Sequence, residues 1–333
     1  MVSDLRVGIV GAGYIAGAHA GGYAALPGVE IVAIADPVEA KATALAARVG
    51  ARPVTSLAEL LTLDVDAVSV CTPTPTHSSL VLEALAAGCH VLCEKPIALT
   101  LAEADRIVAA ADAASTQVMI GHVSRFEPDH RRAQELVAAG RLGQLHMSSQ
   151  SITSSAPGWS ERGWLTDPQL SGGPIVDLAV HSFDYLAWLH RSEPVRVSAF
   201  ASDTAAGPST YAVVTLRFAD GAIGTVETSW AHPPAHGLQV VTEVAGSAGR
   251  LDWTYSGVSL GSLVTSDGAV THLDPLGSRG FRAEIAAFVA AIRDNTAVPV
   301  PPAAGRAALR TALAALESVR LGCPIDLVQE RAA

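Results

Sequence analysis

The sequence predicts two domains: an α/β domain built on a doubly wound parallel sheet, then an α+β domain with a large, mainly antiparallel, open sheet. Three observations lead to this prediction. Short apolar runs alternate with helical patterns in the first third of the chain, as in repeated βα units. Several strand patterns then follow one another with no helix between them. The length of 333 residues suits two domains, which we place at 1–122 and 123–333.

The composition disfavours several classes of protein. Hydrophobic residues make up 49% of the chain and charged residues 16%, so a large core can form and disorder is not expected. The formal net charge of −10 disfavours nucleic acid and an anionic membrane surface as partners. We find no uncharged apolar run of the length that a membrane span requires, so we expect no membrane segment.

The four cysteines predict a reduced environment. Their positions show no metal-ligand spacing, and small buried hydrophobic residues explain them better than disulfides. The first residues do not resemble a secretory signal peptide. We therefore expect a cytoplasmic protein with no metal site. The cysteines are Cys71, Cys89, Cys93 and Cys323.

The chain opens with a short strand that leads into a glycine-rich turn. Leu5–Val10 is an apolar run typical of a buried parallel strand. Gly11-Ala12-Gly13-Tyr14-Ile15-Ala16 follows at once and opens a helix, which is the context of a dinucleotide fingerprint. The first glycine allows the tight turn, and the second lets a pyrophosphate approach the backbone. This pattern predicts a Rossmann domain that binds NAD(P).

Asp36 ends the second predicted strand, Val29–Ala35, and predicts the choice of cofactor. It lies twenty residues past Ala16, where an acid binds the ribose 2′-hydroxyl and repels a 2′-phosphate. No arginine follows directly, and Lys41 is the nearest cation. The alternative is an ordinary turn or capping residue. We expect NAD in preference to NADP.

The rest of the first domain continues the alternation, with polar residues at two strand ends. These ends are 72–77, with the sequence TPTPTH, and Glu94-Lys95-Pro96. Ligands of doubly wound sheets bind at the carboxyl ends of the strands, so we expect Lys95 to point into that crevice rather than into solvent. The predicted helices are 38–49, 76–87 and 101–114, and the predicted strands are 66–71, 90–93 and 117–121.

Strand patterns dominate the second domain. After a helix at 129–139, Ala219-Asp220-Gly221 marks a hairpin between two strands. Amphipathic helices at 281–294 and 303–320 close the chain. One face of so broad a sheet can pack on helices while the other stays partly exposed, so we expect a homo-oligomer, dimer or tetramer, formed through this sheet. The predicted strands are 145–152, 195–202, 211–218, 222–230, 238–245 and 249–254.

The stretch 172–190, with the sequence GGPIVDLAVHSFDYLAWLH, predicts one buried helix. Pro174 suits its first turn, and apolar residues cover most of its circumference. Asp177, His181 and Asp184 recur at spacings that place them on one face. Buried carboxylates and imidazoles need partners, so we interpret this face as lining a ligand cleft. The alternative is a solvent-exposed face.

Together these residues resemble the glucose–fructose oxidoreductase, inositol dehydrogenase and rhizopine catabolism (Gfo/Idh/MocA) family over nearly the whole chain. The most specific motifs are Glu94-Lys95-Pro96 and Asp177-x-x-x-His181. Three residues depart from the family pattern, although none removes a chemical group that the reaction needs; they are Thr74, Pro174 and Ala179. Further support comes from Gly11-Ala12-Gly13, Pro73 with His77, Trp164, Ser171-Gly172-Gly173, Asp184 and 246–249.

The resemblance implies NAD(P)-dependent oxidation of a secondary alcohol on a sugar or cyclitol, or the reverse reduction. It implies that Lys95, Asp177 and His181 are catalytic. Histidine titrates near neutrality and an ammonium group stabilises a developing alkoxide, so these side chains suit the reaction. The expected cofactor-binding residues are Gly11, Gly13, Tyr14, Ile15, Asp36, Thr72, Pro73, His77, Glu94 and Lys95, and the expected substrate contacts are Lys95, Arg125, Trp164, Asp177 and His181, with Trp159 and His236 as further loop candidates.

Other functions stay open at this point. A non-catalytic, nucleotide-binding regulator of transcription could share the fold, although Lys95, Asp177 and His181 favour an enzyme. A reductase or dehydrogenase of the same fold could act on a dihydrodiol or a nucleotide-linked sugar, although no basic cluster for the latter is evident. A zinc alcohol dehydrogenase is disfavoured because the cysteines and histidines do not cluster along the sequence.

Overall fold

The structure is a computed structural model that describes residues 5–158, 160–204, 207–256, 259–265, 270–273 and 280–327. The chain divides into two compact units. The first comprises Met1–Val123 and Arg279–Arg306, and the second comprises Ser124–Ser278 and Ala307–Ala333. The first crossing falls one residue after the boundary drawn from the sequence, and the return of 279–306 to the first unit was not anticipated.

The part of the chain that the structure describes contains eleven α-helices and fifteen strands. The helices are α1 (Tyr14–Ala24), α2 (Glu39–Val49), α3 (Leu57–Leu61), α4 (His77–Ala86), α5 (Leu101–Ala113), α6 (Pro128–Ala138), α7 (Pro168–Ser171), α8 (Gly173–Asp177), α9 (Val180–His190), α10 (Gly280–Asp294) and α11 (Pro302–Leu321). The strands are β1 (Leu5–Val10), β2 (Val29–Ala35), β3 (Arg52–Val54), β4 (Ala67–Val70), β5 (His90–Glu94), β6 (Val118–Gly121), β7 (Leu145–Ser155), β8 (Pro194–Thr204), β9 (Gly207–Phe218), β10 (Ile223–His232), β11 (Gln239–Gly246), β12 (Gly249–Tyr255), β13 (Ser259–Thr265), β14 (Val270–Leu273) and β15 (Ile325–Asp326).

The first unit contains a six-stranded sheet in the order β3-β2-β1-β4-β5-β6. Every neighbouring pair is parallel, which confirms the doubly wound α/β prediction. The central strands β1 and β4 are almost wholly buried, as their continuous apolar runs predict. Strand β3 and helix α3 were not predicted from the sequence, because a three-residue strand and a five-residue helix are too short to display a period.

Helix α10 belongs to the first unit although it lies late in the chain. Its apolar face packs on α1, where a side chain on Gly22 would collide with Ile285. Glu284 is carried into the interior on the same face and is fully buried. The amphipathic pattern predicted the helix but contained no information about which sheet or helix its apolar face would meet.

The second unit contains a nine-stranded sheet in the order β14-β13-β12-β11-β7-β10-β9-β8-β15. Its pairs are antiparallel except for β7 with β10, which confirms the prediction of a mainly antiparallel sheet. Helices α8 and α9 pack on β7, β9 and β10. Strands β13, β14 and β15 were not predicted from the sequence, because glycine and serine interrupt the alternation in β13, and β14 and β15 have only four and two residues.

None of the helices in the described ranges combines the length and the apolar character needed to cross a membrane.

Two histidines of the second unit, one buried and one half-buried, make its stability depend on pH. The ring of His130 stacks on Tyr185 with 4.2 Å between centroids, and its Nδ1 donates to the Ser124 carbonyl oxygen. The ring of His190 stacks on Phe218 at 4.0 Å. Burial lowers the pKa of His130 to about 4, and burial also lowers the pKa of His190 to about 4. Both side chains are therefore neutral in the folded protein at neutral pH.

We predict that the free energy of unfolding of the second unit falls as the pH drops from about 6.5 towards 4. A histidine of ordinary pKa takes up its proton in the unfolded chain below about pH 6.5, whereas these folded sites do so only near 4. Each histidine contributes its full stabilisation above about pH 6.5. As the pH falls to about 4, the free energy of unfolding decreases by about 3 kcal/mol per histidine. Urea unfolding at pH 7 and 5.5 tests this.

Matched variants identify the two groups. His130→Asn retains a donor near Nδ1, and His190→Gln retains a polar group near Nε2, where Ser148 Oγ lies at 2.8 Å. Each substitution should reduce the loss of stability between the two pH values. His146 is exposed, and His146→Gln should leave that loss unchanged. If the wild-type protein and the three variants lose the same free energy of unfolding between the two pH values, His130 and His190 are not the groups responsible.

Candidate active site

The loop that follows β1 requires glycine at its first position, and open space surrounds its second glycine. Gly11 has φ +94°, and a Cβ on it would lie 2.5 Å from the carbonyl oxygen of Cys71. A Cβ on Gly13 would meet nothing within 4 Å. Gly13 is also the N-cap residue of α1, and no side chain caps the first amides of that helix. An uncapped helix N-terminus facing open space suits an anionic pyrophosphate.

Asp36 lies directly after β2, and its carboxylate is fixed by the backbone on both sides. Oδ2 accepts the Ala12 N–H at 2.8 Å, and Oδ1 accepts the Val38 N–H at 2.8 Å. The side chain thus connects the fingerprint loop to the start of α2. Each carboxylate oxygen can accept a further hydrogen bond. A ribose diol would supply two such donors, so the residues present fit the adenosine end of NAD.

The polar segment after β4 is held by His77. Its Nδ1 lies 2.8 Å from the Pro96 carbonyl oxygen, and its Nε2 lies 2.9 Å from that of Thr72. Burial lowers the pKa of His77, and the two carbonyl contacts oppose this effect in part. Because both ring nitrogens face the protein's own backbone, His77 shapes the segments on either side of it. Thr72 is half-buried, Pro73 is exposed, Tyr14 is exposed and Ile15 is half-buried.

The end of β5 places Glu94 inside the unit and Lys95 at its edge. Glu94 Oε1 lies 2.9 Å from His19 Nε2, and Oε2 accepts the Lys95 backbone N–H at 3.2 Å. Burial raises the pKa of Glu94, but the His19 hydrogen bond and the positive charges of His19 and Lys95 outweigh it, so the pKa lies below its usual value. Lys95 is half-buried, and a cis peptide bond joins it to Pro96.

These residues line one edge of the parallel sheet. The strand order β2-β1-β4-β5 places Asp36, the fingerprint loop, Thr72 and Lys95 in that sequence along the carboxyl ends. Val10 pairs with Val70, and Val70 pairs with Cys93, so three strands end at the same level. At about 4.8 Å per strand, Lys95 lies roughly 10 Å along this edge from the fingerprint loop.

In the second unit, Asp177 and His181 do not lie on one continuous helix, so the prediction of a single helix over 172–190 is wrong. Helix α8 ends at Asp177, and α9 begins at Val180. The Pro174 carbonyl oxygen accepts both the Leu178 N–H at 3.1 Å and the Ala179 N–H at 2.8 Å, which inserts a wide, π-type turn. Such turns are frequent at functional sites. Neither the spacing nor the composition of the stretch predicts this turn.

The alternative for this face, exposure to solvent, does not hold for two of its three residues. Asp177 is 8% exposed and Asp184 is 2% exposed, while His181 is half-buried. Gly172, at the start of α8, has φ +74°, and a side chain there would collide with Val176. The tight start of α8 therefore depends on glycine at this position.

The predicted substrate contacts of the second unit are in different surroundings. Arg125 binds Asp184 through two hydrogen bonds, from Nε at 2.7 Å and from Nη2 at 2.6 Å, and its guanidinium lies 5.7 Å from the Trp188 ring centroid. This ion pair joins the segment after β6 to α9. Trp164 is half-buried in a 3-10 turn, His236 Nε2 lies 3.0 Å from Thr153 Oγ1, and Trp159 falls outside the described residues.

His19, which lies on α1 and is fully buried beside Glu94, was not predicted as a site residue from the sequence. The available signal was a histidine inside an otherwise apolar helix, directly after the fingerprint. A polar side chain in such a place needs a partner, but the sequence does not say which one. Its partner comes from a strand 75 positions away in the chain.

The strand order, the fingerprint loop and Asp36 define the first unit as an NAD-binding Rossmann domain. Comparison with protein families agrees. Residues 5–122 match the profile described as the oxidoreductase family with an NAD-binding Rossmann fold, and residues 130–252 match the GFO/IDH/MocA C-terminal domain. The chain belongs to the Gfo/Idh/MocA family of oxidoreductases.

Relatives named as dehydrogenases match over most of the chain. It is 31% identical over 331 residues to an inositol 2-dehydrogenase of Rhizobium meliloti, covering 95% of this chain and 97% of the relative. It is 33% identical over 252 residues to a D-glucoside 3-dehydrogenase of Escherichia coli, covering 69% and 71%. It also superimposes on GenD2 from gentamicin A biosynthesis, solved in complex with NAD, with a TM-score of 0.85, 30% identity and coverage of 98% and 97%.

We predict that Asp36→Ala narrows the preference for NAD over NADP. The substitution removes the acceptor for the ribose diol and the negative charge that would face a 2′-phosphate. The dissociation constant for NADP divided by that for NAD should fall roughly 5- to 150-fold. This change corresponds to a loss of about 1–3 kcal/mol in the preference for NAD. Calorimetry with each cofactor measures it. Glu39→Ala removes an exposed acid from the first turn of α2 and should leave the ratio unchanged. Tighter binding of NADP than NAD by the wild-type protein would contradict the role of Asp36.

Proposed function

We propose that the chain transfers a hydride between NAD and a secondary alcohol or ketone of a sugar or cyclitol. The observation that carries this proposal is the row of residues along the carboxyl edge of the parallel sheet. Asp36 and the fingerprint loop suit the adenosine and pyrophosphate of NAD, and Lys95 lies further along the same edge, towards the nicotinamide end. The relatives named as inositol and glucoside dehydrogenases support the substrate class.

Three side chains have proposed roles in the reaction. Bound NAD would supply the hydride acceptor in the oxidation direction. His181 takes the hydroxyl proton in that direction and returns it in the reduction. Lys95 donates a hydrogen bond to the substrate oxygen and stabilises the negative charge that develops on it. Asp177 accepts a hydrogen bond from a neighbouring hydroxyl group, which orients a polyol for reaction at one carbon.

Other predicted site residues would act through the backbone that they hold. The contacts of His77 fix the two segments that follow β4 and β5, and the Arg125–Asp184 pair fixes α9 three residues beyond His181. We propose that these side chains keep their neighbours in place for cofactor and substrate. The departures Thr74, Pro174 and Ala179 leave Lys95, Asp177 and His181 unchanged.

We predict that Lys95→Met lowers kcat about 10²- to 10³-fold while the dissociation constant for NAD changes little. The substitution keeps the length of the side chain but deletes its charge, which matters most when the alkoxide forms. The assay is a panel of polyols and sugars with NAD, followed by the absorbance of the reduced nicotinamide. NAD binding is measured on the same preparations.

The chain offers a matched control, because Lys41 is its one other lysine. Lys41→Met removes the same charge from α2 and should leave turnover unchanged. Turnover of Lys95→Met within a few-fold of wild type would exclude the role proposed for Lys95. If the wild-type protein binds NAD but turns over nothing in the panel, the proposed function fails and a nucleotide-binding regulator becomes the better explanation.

We also propose that the chain forms a homo-oligomer through the nine-stranded sheet. Val197, Ala199 and Leu216 point to the buried face, whereas Phe200 on β8 is 75% exposed and pairs across the strands with Val213. Val241 on β11 is also exposed, at 45%. Large exposed apolar side chains on one sheet face are typical of a surface that a partner covers.

Phe200→Glu should shift the protein towards the monomer in light scattering, because a carboxylate would be buried without a partner. Leu321→Glu changes a residue of α11 that is 49% exposed and lies off this face, and it should leave the mass unchanged. A wild-type protein with the mass of one chain would exclude the oligomer.

A further inference from the structure

A chain of buried hydrogen bonds runs from α1 to the backbone of Lys95. Tyr23 Oη lies 2.9 Å from Ser69 Oγ, and Ser69 Oγ lies 3.1 Å from His19 Nδ1. His19 Nε2 lies 2.9 Å from Glu94 Oε1, and Glu94 Oε2 accepts the Lys95 N–H at 3.2 Å. Tyr23, His19 and Ser69 are fully buried and Glu94 is 6% exposed. We refer to these four residues as the Glu94 network.

The contact between His19 and Glu94 has one possible donor. Glu94 is ionised at neutral pH, because the His19 hydrogen bond and nearby positive charge hold its pKa below the usual value in spite of burial. An ionised carboxylate only accepts hydrogen bonds, so Nε2 of His19 carries the hydrogen. The bond is charge-assisted and lies in a region of low polarity, where such bonds are strong.

This bond restrains the conformation of Glu94. A glutamate side chain has three rotatable bonds, and buried neighbours alone do not decide where its carboxylate lies. With one oxygen held by His19, the other is directed at the Lys95 N–H. Gly121 leaves room for the oxygen that contacts His19, since a Cβ there would lie 3.1 Å from Glu94 Oε1. Glu284 of α10 completes the surroundings of His19 and Glu94, with one ring nitrogen or carboxylate oxygen from each of the three residues lying within 4.8 Å of the others.

We propose that His19 is a positioning residue for Lys95, which it holds in place through Glu94. The proposal rests on the proposed function, in which Lys95 contacts the reacting oxygen. A lysine at the end of a strand has a long, flexible side chain, and its ammonium group can only be placed reproducibly if the backbone beneath it is fixed. Displacement of a reacting group by about 1 Å can reduce a rate by 10².

A purely structural role for His19 makes a different prediction. In that case each hydrogen bond of the Glu94 network contributes to the stability of the folded protein. A substitution then changes the environment of Lys95 only in proportion to the stability that it removes. The two roles are separated by substitutions that remove different bonds of the network at similar cost. Asparagine places its amide near Nδ1 of the imidazole and can keep the contact with Ser69. Glutamine places its amide near Nε2 and can keep the contact with Glu94.

The test reads the position of Lys95 directly. The chain contains two lysines, so protein labelled at the lysine ε-carbon gives two NMR signals, and Lys41→Arg identifies the signal of Lys95. In the wild-type protein we expect the Lys95 signal at a shift distinct from that of a flexible lysine. His19→Asn should move it towards the flexible value or broaden it. His19→Gln should retain the wild-type signal, as should Tyr23→Phe, which removes a buried hydrogen bond two links away from Glu94.

The same variants are compared by kinetics with a substrate found in the panel. We expect kcat of His19→Asn to fall roughly tenfold to a hundredfold with little change in the KM for NAD, while His19→Gln and Tyr23→Phe remain within a few-fold of wild type. Thermal unfolding of each variant shows whether the loss of kcat instead parallels the loss of folding stability. If His19→Asn fails to fold, Glu94→Gln serves in its place, because an NH2 donor replaces one of the two carboxylate oxygens, so that the positions facing His19 Nε2 and the Lys95 N–H are no longer both acceptors.

Two results would overturn the proposal. One is a Lys95 signal that is identical in His19→Asn and His19→Gln, or in Glu94→Gln and the wild type. The other is an effect that follows the loss of stability across all variants, Tyr23→Phe included. Failure of the proposed function is recognised separately. If the wild-type protein shows no turnover, the kinetic comparison is lost, but the NMR comparison still decides whether His19 positions Lys95.

Discussion

The parallel pairing of β2, β1, β4 and β5 is the constraint on which the rest of the candidate site depends. Parallel strands present their carboxyl ends at one edge, and the register of these strands brings the ends level. Residues separated by dozens of positions along the chain therefore form one row. A change in strand order would leave Asp36 and Lys95 intact but would place them in different neighbourhoods.

Burying polar groups beneath this edge is costly, and three of these groups in the first unit have specific partners. Asp36 accepts two backbone amides, His77 contacts two backbone carbonyls, and Glu94 has both an imidazole and an amide as partners. A buried polar group that loses one partner retains the full cost of desolvation. The loops that follow the strands therefore have defined conformations.

The second unit positions its polar residues by a different device. Pro174 lies at the start of α8, and its carbonyl oxygen accepts two successive amides before α9 begins. The resulting wide turn sets the direction of His181 relative to Asp177. The pair of Arg125 with Asp184 then attaches α9 to the segment that follows β6. Arg125 was expected as a substrate contact from its place in a loop, and the sequence did not indicate that Asp184 would bind it.

The sequence by itself determined the fold class, the bounds of most long elements and which polar residues lie at the carboxyl edge of the parallel sheet. These follow from local patterns: β1 and β2 were predicted with the bounds that the structure shows, and the fingerprint lies between β1 and α1. Only the tertiary structure decided the return of α10 to the first unit, the break between α8 and α9, and the meeting of His19 with Glu94. The return of α10 and the His19–Glu94 contact depend on groups far apart in the chain, and the break between α8 and α9 depends on one carbonyl oxygen that accepts two amides. Neither kind of interaction produces a periodic pattern in the sequence. Hydrophobic periodicity reports which face of an element is buried, but only packing decides what that face meets.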